Sequence, residues 1–67
     1  MKYELKDEYI ELFKLLKVLD LVDSGAQAKH LVAEGYVNRN GEQEFRKRAK
    51  IISGDIIEIA DVRVEIV

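Results

Sequence analysis

Cysteine is absent from this 67-residue sequence. Its absence excludes a disulfide scaffold and any zinc site built from thiolates, and it is compatible with a reducing compartment. No run of about 18 apolar residues is present, and the N-terminal stretch MKYELKDEY lacks the apolar segment of a signal peptide. We therefore expect a cytoplasmic protein that neither spans a membrane nor is exported by that route.

Residues suited to catalysis are also scarce. The single histidine, His30, has no partner motif, and beside Lys29 on a helix it is more typical of a surface or contact residue than of a general base. The acids fall mostly on faces that are predicted to be exposed, where solvated charge is usual. The four glycines lie at separate turns and do not form a phosphate loop. We therefore expect residues 1–67 to form one domain that is not an enzyme and uses neither a metal nor a cofactor.

Charge is distributed unevenly along the chain, although the net charge is only −2. Residues 1–28 carry four lysines against six acids, residues 29–50 carry six Lys or Arg against three acids, and residues 51–67 carry one Arg against four acids. Local fields steer a polyanion to a surface, so the excess of three positive charges in the middle segment favours a nucleic-acid partner. A charge run taken alone is more often a solvated loop, and the surrounding elements must decide between the two interpretations.

A capped helix followed by a hairpin is predicted in the middle of the chain. Ser24 followed three residues later by Gln27 has the form of a capping box, which predicts that a helix begins there. Gly35 stands where a left-handed C-terminal cap is wanted, so we expect the helix to end at about Glu34. Asn40-Gly41 is typical of a type I′ turn, which predicts a strand over 36–39 that reverses at once into a short strand over 42–45.

Apolar periodicity predicts the remaining elements. Asp7 can cap a first helix over Glu8–Val18, and a weak strand over 2–6 precedes it. Short strands are expected over 50–52, 56–59 and 62–67, with Val62, Val64 and Ile66 facing the core. The order of elements predicts an α+β fold, with two helices in succession and a small antiparallel sheet.

Two basic features can converge on one face of such a fold. The N–H groups at the start of the second helix, over 24–28, suit an anionic phosphate oxygen, and Lys29 and His30 follow within the next turn. The segment Arg46-Lys47-Arg48 with Lys50 supplies charged donors from a loop that must fold back toward the helices, because the chain is short. For Ser24 and Gln27 taken alone, a helix cap and nothing more is the safer interpretation, and both roles can hold together.

Four blocks of sequence at a fixed spacing are more specific than any one of them. They read SGAQAK at 24–29, EGYV at 34–37, NGEQEFRKRAK at 40–50 and GDIIE at 54–58. From Leu12 to Ile59, in register, they resemble the alpha-L RNA-binding motif, the domain named for protein four of the small ribosomal subunit. The small stand-alone bacterial versions of this domain are the nearer match.

The resemblance implies a hairpin of two helices packed on a small antiparallel sheet. It also implies an RNA partner, ribosomal or transfer RNA, and association with the ribosome. The implied RNA-binding residues, with His30 added from the charge argument, are Ser24, Gly25, Gln27, Lys29, His30, Arg46, Lys47, Arg48 and Lys50.

Two departures and one alternative accompany this hypothesis. Gly25 stands where the wider family often has Arg, and Arg39 stands where an apolar strand residue is usual. We expect Arg39 to add a charge to the binding face or to lie at a sheet edge. Tyr36 is the nearest aromatic that could stack on an unpaired base, although a core role suits its position equally. The alternative function is a protein-interaction adaptor whose basic arm docks an acidic partner, and salt-dependent RNA binding would distinguish the two.

Overall fold

A computed structural model describes residues 1–67, in which two short helices and a five-stranded sheet share one apolar core. Neither helix has the length and apolar character needed to cross a membrane. In chain order the elements are β1 (Lys2–Tyr3), β2 (Ile10–Glu11), α1 (Leu12–Val18), α2 (Gly25–Ala33), β3 (Val37–Arg39), β4 (Glu42–Gln43), β5 (Lys50–Ile51), β6 (Ile56–Ile59) and β7 (Val62–Ile66).

The main sheet has the strand order β1-β7-β6-β3-β4. Its pairings are antiparallel except at one edge, where β1 runs parallel to β7 with Tyr3 opposite Ile66. The predicted α+β fold is confirmed. The sheet was expected to be antiparallel, which is wrong only for the pairing of β1 with β7. Strand β1 can lie parallel to β7 because the rest of the domain separates them in the chain, whereas the antiparallel pairs β3–β4 and β6–β7 are each joined by a tight turn.

Residues from both helices and from the central strands form the core. Along β6 and β7 the side chains alternate, so that Ile57, Ile59, Val64 and Ile66 are buried while the residues between them are more exposed. Val62, Val64 and Ile66 all face the core as predicted, with Val62 at the start of β7 half-buried against it. The helices contribute Leu12, Leu15, Leu16, Ala28 and Val32.

Helix α1 begins at Leu12, four residues later than predicted, and Asp7 does not cap it. The chain over 10–11 is instead a strand that pairs antiparallel with β5. Ordinarily a side chain at the helix start satisfies the first free N–H groups, but the N-cap residue Glu11 makes no such hydrogen bond. Backbone pairing with a distant segment has replaced the local cap.

The second helix and the hairpin agree with their predictions. The Oγ of Ser24 accepts a hydrogen bond from the N–H of Gln27 at 3.1 Å, and the helix ends before Gly35, whose φ is +83°. Asn40 and Gly41 both have positive φ, as a type I′ turn requires. These elements follow from short-range signals, so the sequence alone locates them well.

Arg39 does not lie at a sheet edge, because β3 is paired on both sides. Its guanidinium donates from Nε and Nη2 to Oδ2 of Asp55, at 3.1 and 2.8 Å, and its Nη1 lies 3.6 Å from Oε1 of Glu44. Both carboxylates are buried, with Glu44 8% and Asp55 6% exposed. The sheet-edge alternative for Arg39 was therefore wrong, and these two acids depart from the exposed faces where most acids were expected. A buried charged group needs an opposite charge beside it, and the guanidinium and the two carboxylates provide this for one another.

Asp55 is the most heavily hydrogen-bonded side chain of this group. Burial by itself raises the pKa of Asp55, but the N–H of Ile52, the side-chain amide of Asn40 and the guanidinium of Arg39 outweigh burial and hold it below its usual range. The pKa of Glu44 is also lowered, mainly by the hydrogen bond from Arg46. Both groups are therefore carboxylates at neutral pH.

We predict that Asp55→Asn removes part of the acid sensitivity of folding. A carboxyl whose pKa is lower in the folded than in the unfolded chain contributes stability above about pH 4, and that stability is lost as the pH falls through the folded-state value. The variant should lose about 3 kcal/mol at pH 7, since Arg39 keeps its charge in a buried site. Urea unfolding from pH 7 to pH 3 measures both effects, with Asp61→Asn in an exposed turn as control. Parallel pH profiles for wild type and Asp55→Asn would contradict the prediction.

A second prediction compares two glycines with similar backbone but different surroundings. Gly35 and Gly41 have φ of +83° and +88°. A Cβ at Gly35 would lie 2.9 Å from Nε2 of Gln43 and 3.1 Å from the ring of Phe45, whereas a Cβ at Gly41 would meet nothing within 4 Å. Each alanine substitution should cost about 1–2 kcal/mol for the left-handed backbone. Gly35→Ala should cost about 1 kcal/mol more, because it disturbs the hydrogen bond from Gln43 to the Gly35 carbonyl. Equal urea midpoints for the two variants would contradict the prediction, because they would show that Gln43 and Phe45 move away from the new Cβ without cost.

Candidate nucleic-acid interface

The side chain of Phe13 joins the two basic features of the sequence. Its ring projects from α1, with Nζ of Lys29 at 4.7 Å and Cζ of Arg48 at 5.4 Å from the ring centroid. A Cβ at Gly25 would lie 3.9 Å from the same ring. The start of α2 and the basic loop therefore meet at one aromatic side chain, and each cation gains about 0.5–1 kcal/mol from the ring at such an exposed site.

Backbone hydrogen bonds fix the basic loop against α1. The N–H of Leu12 donates to the carbonyl of Ala49, and the N–H of Phe13 donates to the carbonyl of Lys47, both at 3.0 Å. These bonds satisfy two free donors at the start of α1. The sequence analysis did not predict Phe13 as part of the site, because its partners come from distant parts of the chain and no local pattern indicates its role.

Arg39, Arg46, Arg48 and Lys50 line a cleft of about 370 Å³, here called the basic cleft. Arg39 and Arg46 are already engaged, because Arg46 donates to both carboxylate oxygens of Glu44. Arg48 is 61% exposed and only loosely paired, with Nη1 3.4 Å from Glu11. Lys50 has no carboxylate partner, so Arg48 and Lys50 keep most of their charge available for an anion.

Glu11 remains ionised beside this cleft. A hydrogen bond from Lys14 lowers the pKa of the Glu11 carboxyl, and the nearby charge of Arg48 adds to the effect. Surface pairs of this kind contribute little to stability and exchange easily with solvent or a ligand. Arg48 can therefore leave Glu11 for a phosphate at small cost.

Two side chains, those of Ser24 and Gln27, form capping hydrogen bonds at the start of α2. Oγ of Ser24 holds the N–H of Gln27, and Oε1 of Gln27 accepts the N–H of Asp23 at 2.6 Å. The reciprocal bond falls one residue earlier than in the usual capping box. The side chains of Ser24 and Gln27 serve the helix, while the N–H groups of Gly25 and Ala26 have no protein acceptor.

The remaining predicted residues lie outside this meeting point. His30 is exposed on α2, and Lys47 reaches α1 through its carbonyl while its side chain lies in solvent. Tyr36 is 62% exposed beyond the C-terminal end of α2, so a core role for it was wrong. Tyr36 is also at the opposite end of the helix from Gly25, about 13 Å away along the axis.

Comparison with known proteins identifies relatives over nearly the whole chain. The family described as the S4 domain matches residues 3–67. YbcJ of Escherichia coli (strain K12), named for an expected RNA-binding role, is 44% identical over 62 residues, which cover 92% of this chain and 89% of YbcJ. RlbA of Bacillus subtilis (strain 168), named for an expected role in ribosome maturation, is 38% identical over 52 residues, which cover 78% of this chain and 73% of RlbA.

Two solved structures are similar in fold. The solution structure of Escherichia coli YbcJ, described as having an alfaL motif involved in RNA binding, has a TM-score of 0.75 at 42% identity and covers 98% of this chain and 85% of that one. The 30S ribosomal protein S4e of Thermoplasma acidophilum has a TM-score of 0.70 at 27% identity and covers 87% of this chain and 31% of that one. The helical hairpin and small sheet are therefore the alpha-L fold.

We predict that Ser24→Ala costs about 1 kcal/mol of folding free energy, as cap removals typically do. The N–H of Gln27 loses its acceptor at the end of α2 that faces Phe13. Ser53→Ala, in an exposed turn, is the matched control. Urea midpoints of the two variants give the comparison, and a Ser24→Ala midpoint equal to that of the control would show that water replaces the cap without cost.

Proposed function

The chain belongs to the S4 domain family and is an RNA-binding module, and on this premise we propose that it holds structured ribosomal or transfer RNA by its phosphates. We also propose that the protein is not an enzyme, and that it works in the cytoplasm in association with the ribosome. The name of RlbA and the similarity to S4e, a ribosomal protein, support ribosomal RNA over transfer RNA. Nothing comparable favours an adaptor for acidic proteins.

One observation carries the proposal, namely the meeting of α2 and the basic loop around Phe13. Lys29 and Arg48 present their charges from two different elements toward the same surface. The free N–H groups of Gly25 and Ala26 lie at the same end of α2 and suit a phosphate oxygen. Phosphate contacts of this kind position an RNA and give most of its affinity, without reading its sequence.

The proposed contacts differ in what each can offer. Lys29, Lys47 and Lys50 have no carboxylate partner, and Arg48 has a weak one, so these four can each hold a phosphate. The guanidinium of Arg46 is already paired with Glu44, so Arg46 is less available to a phosphate. The full proposed set is Ser24, Gly25, Gln27, Lys29, His30, Arg46, Lys47, Arg48 and Lys50, with Ser24 and Gln27 acting by holding the helix start in place.

We predict that replacing Arg48 and Lys50 together by Gln weakens RNA binding and its salt dependence. Removing one cation that holds a phosphate should reduce the slope of log affinity against log salt by about one, so the double variant should show a slope smaller by about two. The probe is a short RNA stem-loop, titrated by fluorescence anisotropy at several KCl concentrations.

The matched control replaces Lys2 and Arg63 by Gln, which removes the same two charges from the far edge of the sheet, where both residues are exposed. The control should keep the wild-type slope, because its charges lie away from the basic cleft. Equal slopes in the two double variants, with both still folded by circular dichroism, would contradict the proposal. Absence of binding by the wild type at low salt would favour the adaptor hypothesis.

A further inference from the structure

A second and larger cleft lies next to the basic cleft. It has a volume of about 1010 Å³ and is here called the aromatic cleft. Its apolar lining consists of Tyr9, Ile10, Phe13 and Val18, and Gly25 at the start of α2 completes one side. Since Tyr9 is 42% exposed, its ring is available to a ligand and is not part of the core. Of the phosphate contacts proposed above, only Gly25 lies along this cleft, at one side of it.

Two cations of the basic cleft lie close to two rings of the aromatic cleft. Arg48 and Lys50 line the basic cleft, and the same two cations lie over the rings that line the aromatic cleft. Cζ of Arg48 is 5.4 Å from the ring centroid of Phe13, and Nζ of Lys50 is 5.1 Å from that of Tyr9. A nucleotide whose phosphate contacts Arg48 or Lys50 therefore has its base within reach of the aromatic rings.

The charges around the two clefts decide which part of a nucleotide enters which. The aromatic cleft carries three carboxylates, Asp7, Glu8 and Glu11, against two lysines, which gives a net charge of −1. The basic cleft is lined by four cations, of which Arg39 and Arg46 are paired with buried acids while Arg48 and Lys50 are not. A phosphate is attracted to Arg48 and Lys50 and repelled by the acids of the aromatic cleft, so the uncharged base suits the aromatic cleft better than the phosphate does.

Tyr9 is the ring on which a base can stack. Three cations already lie near the Phe13 ring, with Lys29, Arg48 and Lys14 at 4.7, 5.4 and 5.9 Å from its centroid, so this ring is less accessible to a base. Tyr9 has one cation, Lys50, near its ring and is 42% exposed. Unpaired bases in RNA are commonly held by stacking on such an aromatic side chain.

We propose that the aromatic cleft receives one unpaired base of the RNA, stacked on Tyr9, while the phosphate of that nucleotide lies with Arg48 and Lys50. This inference rests on the proposed function and narrows its substrate class. The bound RNA is then a structured RNA with a bulged or looped-out nucleotide, and a fully paired stem lacks one of the contacts.

The test uses two RNA stem-loops with the same stem, one of which carries a single bulged 2-aminopurine. The wild-type protein should bind the bulged RNA about tenfold more tightly, as one stacked base typically contributes. The fluorescence of the 2-aminopurine should fall on binding, because stacking quenches it. Tyr9→Ala should abolish both the preference and the quenching and keep the salt dependence, whereas Tyr9→Phe should retain all three.

Tyr36→Ala is the matched control, since it removes an exposed tyrosine at the other end of α2. It should leave the preference unchanged. Equal wild-type affinity for the two RNAs, with normal salt dependence, would refute the base site and leave phosphate binding intact. Loss of the preference in Tyr36→Ala but not in Tyr9→Ala would also refute it. Failure of the wild type to bind either RNA at low salt would instead refute the proposed function itself.

Discussion

The buried ion pair between Arg39 and Asp55 is the interaction on which the rest of the structure depends. Asp55 accepts hydrogen bonds from Arg39, from the Asn40 side chain and from the N–H of Ile52, and so ties the β3–β4 hairpin to the turn before β6. Arg39 also donates to the carbonyl of Lys50 at 2.9 Å. If Asp55 is removed, Arg39 keeps only the longer contact to Glu44, and if Arg39 is removed, the buried carboxylate of Asp55 loses its paired charge. Either loss costs more than the pair itself contributes to stability.

The same guanidinium also holds the two ends of the basic loop. Arg39 contacts Glu44 where the basic segment begins and the carbonyl of Lys50 where it ends. Glu44 in turn holds Arg46. The charge of Arg39 is thus used to position other cations, and Arg48 and Lys50 above it remain available to phosphates. An apolar residue at position 39 could fill the space but could not anchor both ends of the loop.

Sequence alone predicted the elements whose causes are local and missed those whose causes are distant. The cap at Ser24 and the turn at Asn40-Gly41 depend on residues only a few positions apart in the sequence, and both appear where expected. The start of α1 was misplaced because its first donors are satisfied by a loop far along the chain. The paired charges of Arg39 and the role of Phe13 were missed for the same reason, since only the folded chain brings their partners together.

The register of the basic segment links stability to function. Arg48 lies in a turn that the N–H of Ala49 closes on the carbonyl of Arg46, and strand β5 follows at Lys50. Ala49 and Ile51 are buried, while Arg48 and Lys50 are exposed and line the basic cleft. A slip of one residue in the pairing of β5 with β2 would turn Lys50 toward the core and Ile51 toward solvent. The burial that stabilises the core therefore selects the register that leaves the charge of Lys50 on the surface.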